Sequence, residues 1–518
     1  MLVKDDLTAP ENAARPEMRL PATGLLSSAG RALASMFLLA ISAQFIAPAP
    51  AAFADTGPCD APQGVPQYPD KFDWNTSYLL GDLGGVRKTA QESGINLCLQ
   101  YNATVYDNAQ GGLKRGPIAE GQIFSWIDID LGKFTGVGLF GDTFLHASMY
   151  SMQGRPITAR EIGSFAAATF FEELATTRLG PVWLEKHFLD GKLSLRAGQL
   201  GVDDEFITSP TATAFINSTF GFPAWMATVL PGGGPAYPLP GPGARLKYNV
   251  SDAVTVMAGA FTGDPAGRSN PVPQLANRYG TTFNLNGGTL YIAEAAYSTA
   301  TPNSGVELPG TYKIGSWFET GHRFNDLRFD DTGLLLADPN STGRPKRYGN
   351  DWGVYGVIDQ TILPGEKDGL HKLASFLRVG GSPNNRNLID FYADGGLTFT
   401  GPIPMRPTDL IGIGAAYSRV SDAARAFDRD TRLFAASAAI ASGALTLPFP
   451  ATGFAPVRDQ EVMVEALYTI NVTSWLVVDL DVQHFFHPSG HVLAGSGPDI
   501  GKPIKDATIF GVNTQIKF

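Results

Sequence analysis

The sequence is poor in charge and contains no long hydrophobic run. Charged residues make up 17% of its 518 residues, which excludes the charge-rich, weakly apolar composition of a disordered chain. No apolar stretch after Ala54 approaches the roughly 20 residues that a membrane-spanning helix requires. If the chain enters a bilayer, it must therefore cross as a closed β-barrel, because lipid offers no partner to unpaired backbone groups.

Positive charge is also scarce. The sequence has 39 Lys and Arg residues against 49 Asp and Glu residues, a formal net charge of −10. Residues 1–54 carry equal numbers of basic and acidic side chains, so their removal would leave this balance unchanged. A nucleic-acid-binding domain needs a basic patch or stripe. The composition therefore predicts no nucleic-acid partner.

Cysteine is almost absent. The two cysteines, Cys59 and Cys98, have no histidines nearby at zinc-ligand spacing, so they predict no metal site. In an oxidising compartment they could form one disulfide. Two separate thiols are the alternative, because the sequence does not show how far apart their Cα atoms lie.

The N-terminal region has the pattern of an export signal. Residues 36–54 form a short apolar stretch that ends in Ala52-Phe53-Ala54, which fits the small-residue pattern of a signal-peptidase site. Asp55 is then the predicted first residue of the mature chain. The polar segment before this stretch is long, and a start at Met18 would give a signal peptide of ordinary length.

Alternation of apolar and polar residues recurs along the mature chain and predicts an all-β fold. In the terminal segment 508–518, TIFGVNTQIKF, Phe510 and Val512 lie on one face and Asn513 and Gln515 on the other. An apolar face toward lipid and a polar face toward a water-filled lumen is the pattern of an outer-membrane barrel. A last strand that ends in phenylalanine is typical of the strand that closes such a barrel. Further alternating segments are 95–106, 123–131, 182–200, 244–250, 312–320, 352–360, 373–379, 410–417, 462–469 and 475–484.

Long glycine- and proline-rich connections separate these segments, notably 231–243, 262–286 and 438–460. Outer-membrane barrels have long loops at one end and short turns at the other. We expect one or more of the long loops to fold inward, because a narrowed lumen gives a pore its preference for one solute.

A short helix is predicted over residues 82–93, with Asp82 as its N-cap and Gly94 as its C-terminal stop. The predicted organisation is then a signal peptide at 1–54, a periplasmic segment with this helix at 55–94, and a transmembrane antiparallel β-barrel at 95–518. If alternating segments of this length fill the mature chain, the barrel has a number of strands in the mid-teens.

Four blocks of the sequence resemble the carbohydrate-selective porin family, the glucose porins of Gram-negative outer membranes, in the same order. They are residues 78–116 (YLLGDLGGVRKTAQESGINLCLQYNATVYDNAQGGLKRG), 183–206 (WLEKHFLDGKLSLRAGQLGVDDEF), 215–248 (FINSTFGFPAWMATVLPGGGPAYPLPGPGARLKY) and 258–267 (AGAFTGDPAG). The resemblance implies a 16-stranded barrel through which glucose and related sugars diffuse passively. Its implied partners are carbohydrates and outer-membrane lipid, and it implies no cofactor or energy source.

The resemblance also suggests a narrow constriction lined by basic side chains. Guanidinium and ammonium groups would donate to sugar hydroxyls, carboxylates would accept from them, and an aromatic ring would stack on the apolar side of the sugar. The alternative is that inward charges pair with one another and stiffen the barrel wall. The candidates are the basic residues Lys114, Arg115, Arg196, Arg245 and Lys247, the acidic residues Asp128, Asp130 and Glu185, and the aromatic residue Trp183.

No catalytic constellation is predicted. His484, His487 and His491 lie close together in the sequence, but the phenylalanines and the proline among them are more typical of the end of a strand than of a metal site. Two alternatives to a sugar porin remain open, because a fold transfers between proteins more securely than a substrate. They are a less selective porin for small ions and solutes, and a barrel-borne hydrolase or adhesin. Monomer and trimer are both compatible with the sequence.

Overall fold

The computed structural model describes residues 78–518, apart from 268, 300–307, 367–369 and 442–455. The predictions for the signal peptide, for the start at Met18, for Cys59 and for segment 55–77 lie outside the described residues. Cys98 is disulfide-bonded. Among the residues described, no helix has both the length and the apolar character of a membrane span.

Sixteen strands form one closed antiparallel barrel in which each strand pairs with its neighbours in sequence. The predicted all-β barrel is thereby confirmed. The strands are β1 (Ile95–Gly112), β2 (Gly116–Asp130), β3 (Thr143–Gly154), β4 (Thr177–Phe188), β5 (Leu193–Leu200), β6 (Gly241–Asn249), β7 (Val254–Thr262), β8 (Thr289–Ser298), β9 (Gly310–Asp330), β10 (Pro345–Pro364), β11 (Lys372–Gly381), β12 (Ile389–Thr400), β13 (Leu410–Val420), β14 (Gln460–Asn471), β15 (Leu476–Phe486) and β16 (Lys505–Lys517).

The strands carry apolar residues outward and polar residues inward, as their alternation predicts. On β1 the side chain of Val105 is 57% exposed, whereas that of its neighbour Thr104 is 1% exposed. Thr104 donates a hydrogen bond to Asn513 on β16 at 2.8 Å. The outer surface is therefore apolar and suited to lipid, and the polar residues face an interior in which they find partners.

The barrel closes where β16 pairs with β1. Tyr101 lies opposite Ile516 in this pairing, and β16 pairs with β15 on its other side. The backbone N–H of Phe518 donates to the carbonyl of Leu99 at 2.8 Å. Arg87 adds a hydrogen bond of 2.8 Å to the Phe518 carbonyl. The last strand is thus the closing strand that its pattern indicates.

The described residues also form α-helices, of which α1 (Val86–Glu92) is the first. The prediction that Asp82 is its N-cap is wrong, because Gly85 occupies that position in a left-handed conformation with φ 98°. The Asp82 side chain instead accepts from the backbone N–H of Lys88 at 2.9 Å. The remaining α-helices are α2 (Leu131–Thr135), α3 (Ser218–Gly221), α4 (Ala224–Val229), α5 (Pro273–Ala276), α6 (Asp422–Ala441) and α7 (Pro488–His491).

The two ends of the barrel differ in the length of their connections. One end, called here the turn end, has short turns such as 189–192, 250–253 and 472–475. The other end, the loop end, has the connections 201–240 and 421–459, and the second of these contains α6. In outer-membrane barrels the short turns face the periplasm and the long loops face outward. The sequence did not predict α6, which overlaps the predicted connection 438–460 only at its last four residues.

Candidate functional site

Residues 201–240, called here the inner loop, connect β5 to β6 and fold into the barrel. At its far end the backbone N–H groups of Ile216 and Asn217 donate to the Glu465 carboxylate on β14, at 2.7 and 3.0 Å. Strand β14 lies eight strands from β6 in a closed ring of sixteen. The inner loop therefore reaches the opposite wall and narrows the lumen.

Polar side chains on intermediate strands hold the inner loop along its course. Glu294 on β8 accepts from the backbone N–H of Ile207 at 2.8 Å. Arg378 on β11 donates to the carbonyls of Ile207 at 3.2 Å and Thr219 at 2.8 Å, and it also pairs with Asp394 of the neighbouring strand. These bonds satisfy backbone groups that would otherwise be buried without partners. The loop consequently has a fixed path across the lumen.

Aromatic side chains add an apolar anchor to this path. Phe220 of the inner loop packs edge-on against Phe376 of β11, with ring centroids 5.7 Å apart, and both residues are buried. Trp225 of the same loop lies 6.2 Å from Trp317 of β9. Aromatic pairs of this kind contribute about 0.5–1.5 kcal/mol beyond the effect of buried area. The barrel thus contains an apolar core where the loop meets the wall.

The connection between β3 and β4, residues 155–176, also turns inward and is called here the side loop. Its backbone N–H groups at Phe165 and Ala166 donate to Glu461 at the start of β14, at 2.8 and 3.1 Å. Gln483 on β15 donates to the Ala168 carbonyl at 2.9 Å. The side loop therefore reaches the same region of the wall as the inner loop, and the two narrow the lumen together.

Four charged side chains meet where the inner loop leaves the wall, and they are called here the charge cluster: Glu185, Arg196, Glu205 and Arg245. Arg196 binds Glu185 at 2.6 Å and Glu205 at 2.9 Å. Arg245 binds the same two carboxylates at 3.1 and 2.7 Å. Both arginine side chains are 2% exposed, whereas that of Glu205 is 15% exposed. The two wall arginines thus hold the loop through Glu205.

Trp183 packs behind the charge cluster. The Arg196 guanidinium lies 3.8 Å from the centre of its ring, and His146 stacks on it with centroids 4.9 Å apart. The His146 ring in turn contacts Asp128 at 2.7 Å. Trp183 is 3% exposed, so its ring supports the orientation of Arg196 and presents little surface to the lumen.

Comparison with known proteins shows the family to which this chain belongs. The model of the carbohydrate-selective porin family, OprB, matches residues 114–518. The chain belongs to the carbohydrate-selective porin family. This porin is therefore an outer-membrane channel for carbohydrates.

Individual relatives agree with this assignment. The porin is similar to Porin B of Pseudomonas aeruginosa, with 26% identity over 441 residues that cover 81% of this chain and 89% of that one. It is also similar to a putative porin, QuiX, of Acinetobacter baylyi, with 22% identity over 469 residues, 87% of this chain and 95% of that one. The high-pH structure of Pseudomonas putida OprB matches with a TM-score of 0.72 and 24% identity, covering 87% of this chain and all of that one. This last likeness supports the fold.

The porin brings most of the predicted site residues together. Glu185, Arg196 and Arg245 form the charge cluster, and Lys247 lies close enough to Glu205 to interact electrostatically. Trp183 packs against Arg196 of the cluster, and Asp128 is connected to Trp183 through His146.

The other three predicted residues lie elsewhere. Lys114 and Arg115 are exposed in the connection between β1 and β2 at the loop end, where Lys114 approaches Glu161 at 3.9 Å. Asp130 caps α2 at the turn end by accepting from the backbone N–H of Lys133 at 3.0 Å. The structure thus places these three residues at the two rims of the barrel.

Sequence reasoning did not single out the acidic run Asp203, Asp204 and Glu205 of the inner loop. All three side chains are partly exposed, and Asp203 accepts from the backbone N–H of Tyr237 at 2.9 Å. Three consecutive acidic residues that begin three positions after the end of the predicted segment 182–200 were a visible signal. Their meaning depends on the inward path of the loop, which alternation does not reveal.

The two aspartates of this run have perturbed acidities. Asp203 and Asp204 are surrounded by protein atoms within the barrel, although each keeps some contact with water. This burial raises the pKa of Asp203 to about 6. Enclosure raises the pKa of Asp204 to about 7, and the charge of Asp203 contributes to the rise. Arg196 acts in the opposite direction on Asp204. The charge of the inner loop therefore changes near neutral pH.

Proposed function

We propose that sugars meet the porin at the acidic run of the inner loop and at Lys247, while the buried arginines hold this surface in place. The observation that carries the proposal is the difference in exposure within the charge cluster. Arg196 and Arg245 are 2% exposed and saturated by carboxylates, whereas Glu205 is 15% exposed. A solute in the lumen can approach Glu205 and its neighbours more readily than the two arginines.

The chemistry of these groups suits a carbohydrate. The carboxylates of Asp203, Asp204 and Glu205 offer acceptors for neighbouring hydroxyl groups, and the Lys247 ammonium offers donors. Because water and nearby charged groups compete for the same atoms, binding at such a surface is weak. Weak binding favours conduction, since a solute must leave the site as easily as it enters. Glucose and related monosaccharides are the proposed solutes.

Sugar block of ion current through single barrels in a planar bilayer tests this proposal. We expect glucose to reduce the current of the unmodified porin and to do so less in Glu205→Gln and Lys247→Ala. Lys114→Ala is the matched control, because Lys114 is an exposed lysine at the rim. Equal block in all four proteins would rule out the proposed contact residues.

Liposome swelling separates this function from that of a less selective porin. We expect glucose to enter faster than uncharged solutes of equal size that lack a ring of hydroxyl groups. If the rate followed size alone, the channel would be a general one for small solutes. The same liposomes show whether the barrel hydrolyses lipid, and we propose that it does not.

The assembly of the porin is part of the same proposal. Each barrel contains its own inner loop and charge cluster, so one chain suffices for transport. We propose a functional monomer, with a trimer as the alternative. The mass of the detergent-extracted protein decides between them.

A further inference from the structure

A carboxylate and two histidines meet at the loop end, outside the charge cluster. Asp459 lies directly before β14, and His487 and His491 follow β15. One ligand atom from each of the three side chains lies within 4.8 Å of the others. Asp459 contacts His487 Nδ1 at 2.9 Å, and the two imidazole rings stack with centroids 4.7 Å apart. Two segments distant in the sequence thus converge on one point.

The turn that carries the histidines has an unusual backbone. His487, Ser489 and His491 all have positive φ angles, of 50°, 51° and 72°. A positive φ angle is unfavourable for residues other than glycine, and such strain persists where the surroundings impose it, often at functional sites. Here the conformation directs both rings toward Asp459.

Contacts from neighbouring segments impose this conformation. The backbone N–H of His487 donates to Asp506 at 2.8 Å, and that of Ser489 donates to Glu461 at 2.6 Å. The hydroxyl of Ser489 donates to the carbonyl of Gly163 in the side loop at 2.8 Å. The backbone that carries the two rings is therefore held in position before any ligand binds, which lowers the entropic cost of binding.

We propose that Asp459, His487 and His491 form a binding site for a divalent transition-metal ion, with Zn²⁺ as the best fit. Imidazole nitrogen and carboxylate oxygen are ordinary zinc ligands, whereas Ca²⁺ and Mg²⁺ prefer oxygen ligands. Ligand atoms around a tetrahedral Zn²⁺ lie about 3.3 Å apart. The observed separations of up to 4.8 Å are wider than this, so the side chains must rotate when the ion binds. A water molecule completes the fourth position.

Hydrogen bonds link the proposed site to the side loop. Glu461 accepts from Ser489 of the histidine turn and also from Phe165 of the side loop. An ion bound at the turn is therefore connected to the side loop through Glu461.

Calorimetric titration of the folded, tag-free porin in detergent, after treatment with a chelator, tests the site. We expect one Zn²⁺ ion per barrel and no binding of Ca²⁺ at the same concentration. His487→Ala and His491→Ala should each lower the Zn²⁺ affinity at least about tenfold, since each removes one of three protein ligands. His371→Ala is the matched control, because His371 also has a positive φ angle, 59°, and pairs with one carboxylate, that of Glu366, at 2.9 Å.

Absence of one-to-one Zn²⁺ binding in the unmodified porin would overturn the proposal. The proposal would also be overturned if both histidine variants kept the Zn²⁺ affinity of the unmodified porin, or if His371→Ala lowered that affinity as much as they do. Co²⁺ provides a measurement that requires no variant. A four-coordinate site gives bound Co²⁺ an intense visible absorption band, and we expect this band in the unmodified porin and its loss on addition of Zn²⁺. If the band is missing, the three side chains do not form the site.

Discussion

The Glu465 carboxylate on β14 accepts the backbone N–H of Ile216 at 2.7 Å and so fixes the inner loop to the wall opposite its origin. The other carboxylate oxygen accepts the next N–H group of the loop, that of Asn217. Glu465 is fully buried. Glu465, together with Gln483 of β15, which accepts from the Asn217 side chain at 2.9 Å, thus fixes the point at which the loop reaches the opposite wall.

Glu465→Gln should loosen this attachment. A glutamine has one acceptor oxygen in place of two, and leaving a buried donor without a partner costs about 1–3 kcal/mol. We expect noisier single-channel currents, a higher mean conductance and weaker block by glucose, all measured in a planar bilayer. Glu366→Gln, at an exposed glutamate of the turn end, is the control and should behave like the unmodified porin. Identical current noise in the two variants would show that Glu465 does not restrain the loop.

Simultaneous replacement of Arg196 and Arg245 by Ala should disrupt the charge cluster. Glu185 and Glu205 would then lie together without their cations, and removing one side of a buried ion pair costs about 3–5 kcal/mol. We expect a lower unfolding temperature together with altered conductance and weaker sugar block. The double Lys variant, which keeps the charges but loses the paired donors, should give intermediate values. Unchanged conductance and sugar block in a folded double Ala variant would show that neither arginine contributes to the constriction.

Lower pH should steady the inner loop. The pKa values of Asp203 and Asp204 are raised to about 6 and about 7, so the folded loop binds protons more tightly than the unfolded chain does. Stability from these groups is fully present below about pH 4, the ordinary pKa of an aspartate, and is lost as the pH rises to the raised values of about 6 and about 7, so single-channel noise should fall as the pH is lowered from about 8 to about 4. The double variant Asp203→Asn with Asp204→Asn should flatten this dependence. A pH response of the same size in that variant would assign it to other groups.

Gly111→Ala should impair barrel closure. Gly111 has a φ angle of 68°, and a Cβ atom there would lie 1.7 Å from the carbonyl oxygen of Asp506, where β1 meets β16. Gly136→Ala is a close control, because Gly136 has a φ angle of 66° but an added Cβ would meet nothing within 4 Å. We expect the first variant to fold in low yield, as judged by the mobility of unheated protein in a denaturing gel. Equal yields would mean that the strand ends shift to accommodate the methyl group.

The sequence predicted the wall of the barrel much better than its contents. The alternation in β1 and β16 predicted which residues face outward, since side-chain direction in a strand has a period of two and depends only on chain neighbours. The same reasoning placed Glu185, Arg196 and Arg245 on the inner face. It gave pairing among inward charges only as an alternative and did not identify Glu205 as a partner, because alternation gives the face of a residue and not its height or partner.

Helix positions were predicted less well. Asp82 matched the preference for an N-cap residue, yet the following Gly84 and Gly85 both adopt positive φ angles and delay the start of α1. The helix α6 lies in a connection whose alanine-rich sequence we did not interpret. Local propensity is a weak guide where glycines or tertiary contacts decide the conformation.

The sequence by itself determined the outer-membrane barrel, its family and the lipid-facing side of each strand. These properties follow from patterns between adjacent residues and from family blocks that are contiguous in the chain. The tertiary structure alone decided the path of the inner loop, the partners of the buried arginines and the meeting of Asp459 with His487. These contacts join residues far apart in the sequence, as with Asn217 and Glu465, which are separated by 248 positions. Such pairs depend on where barrel closure places the opposite walls, and no local pattern specifies that distance.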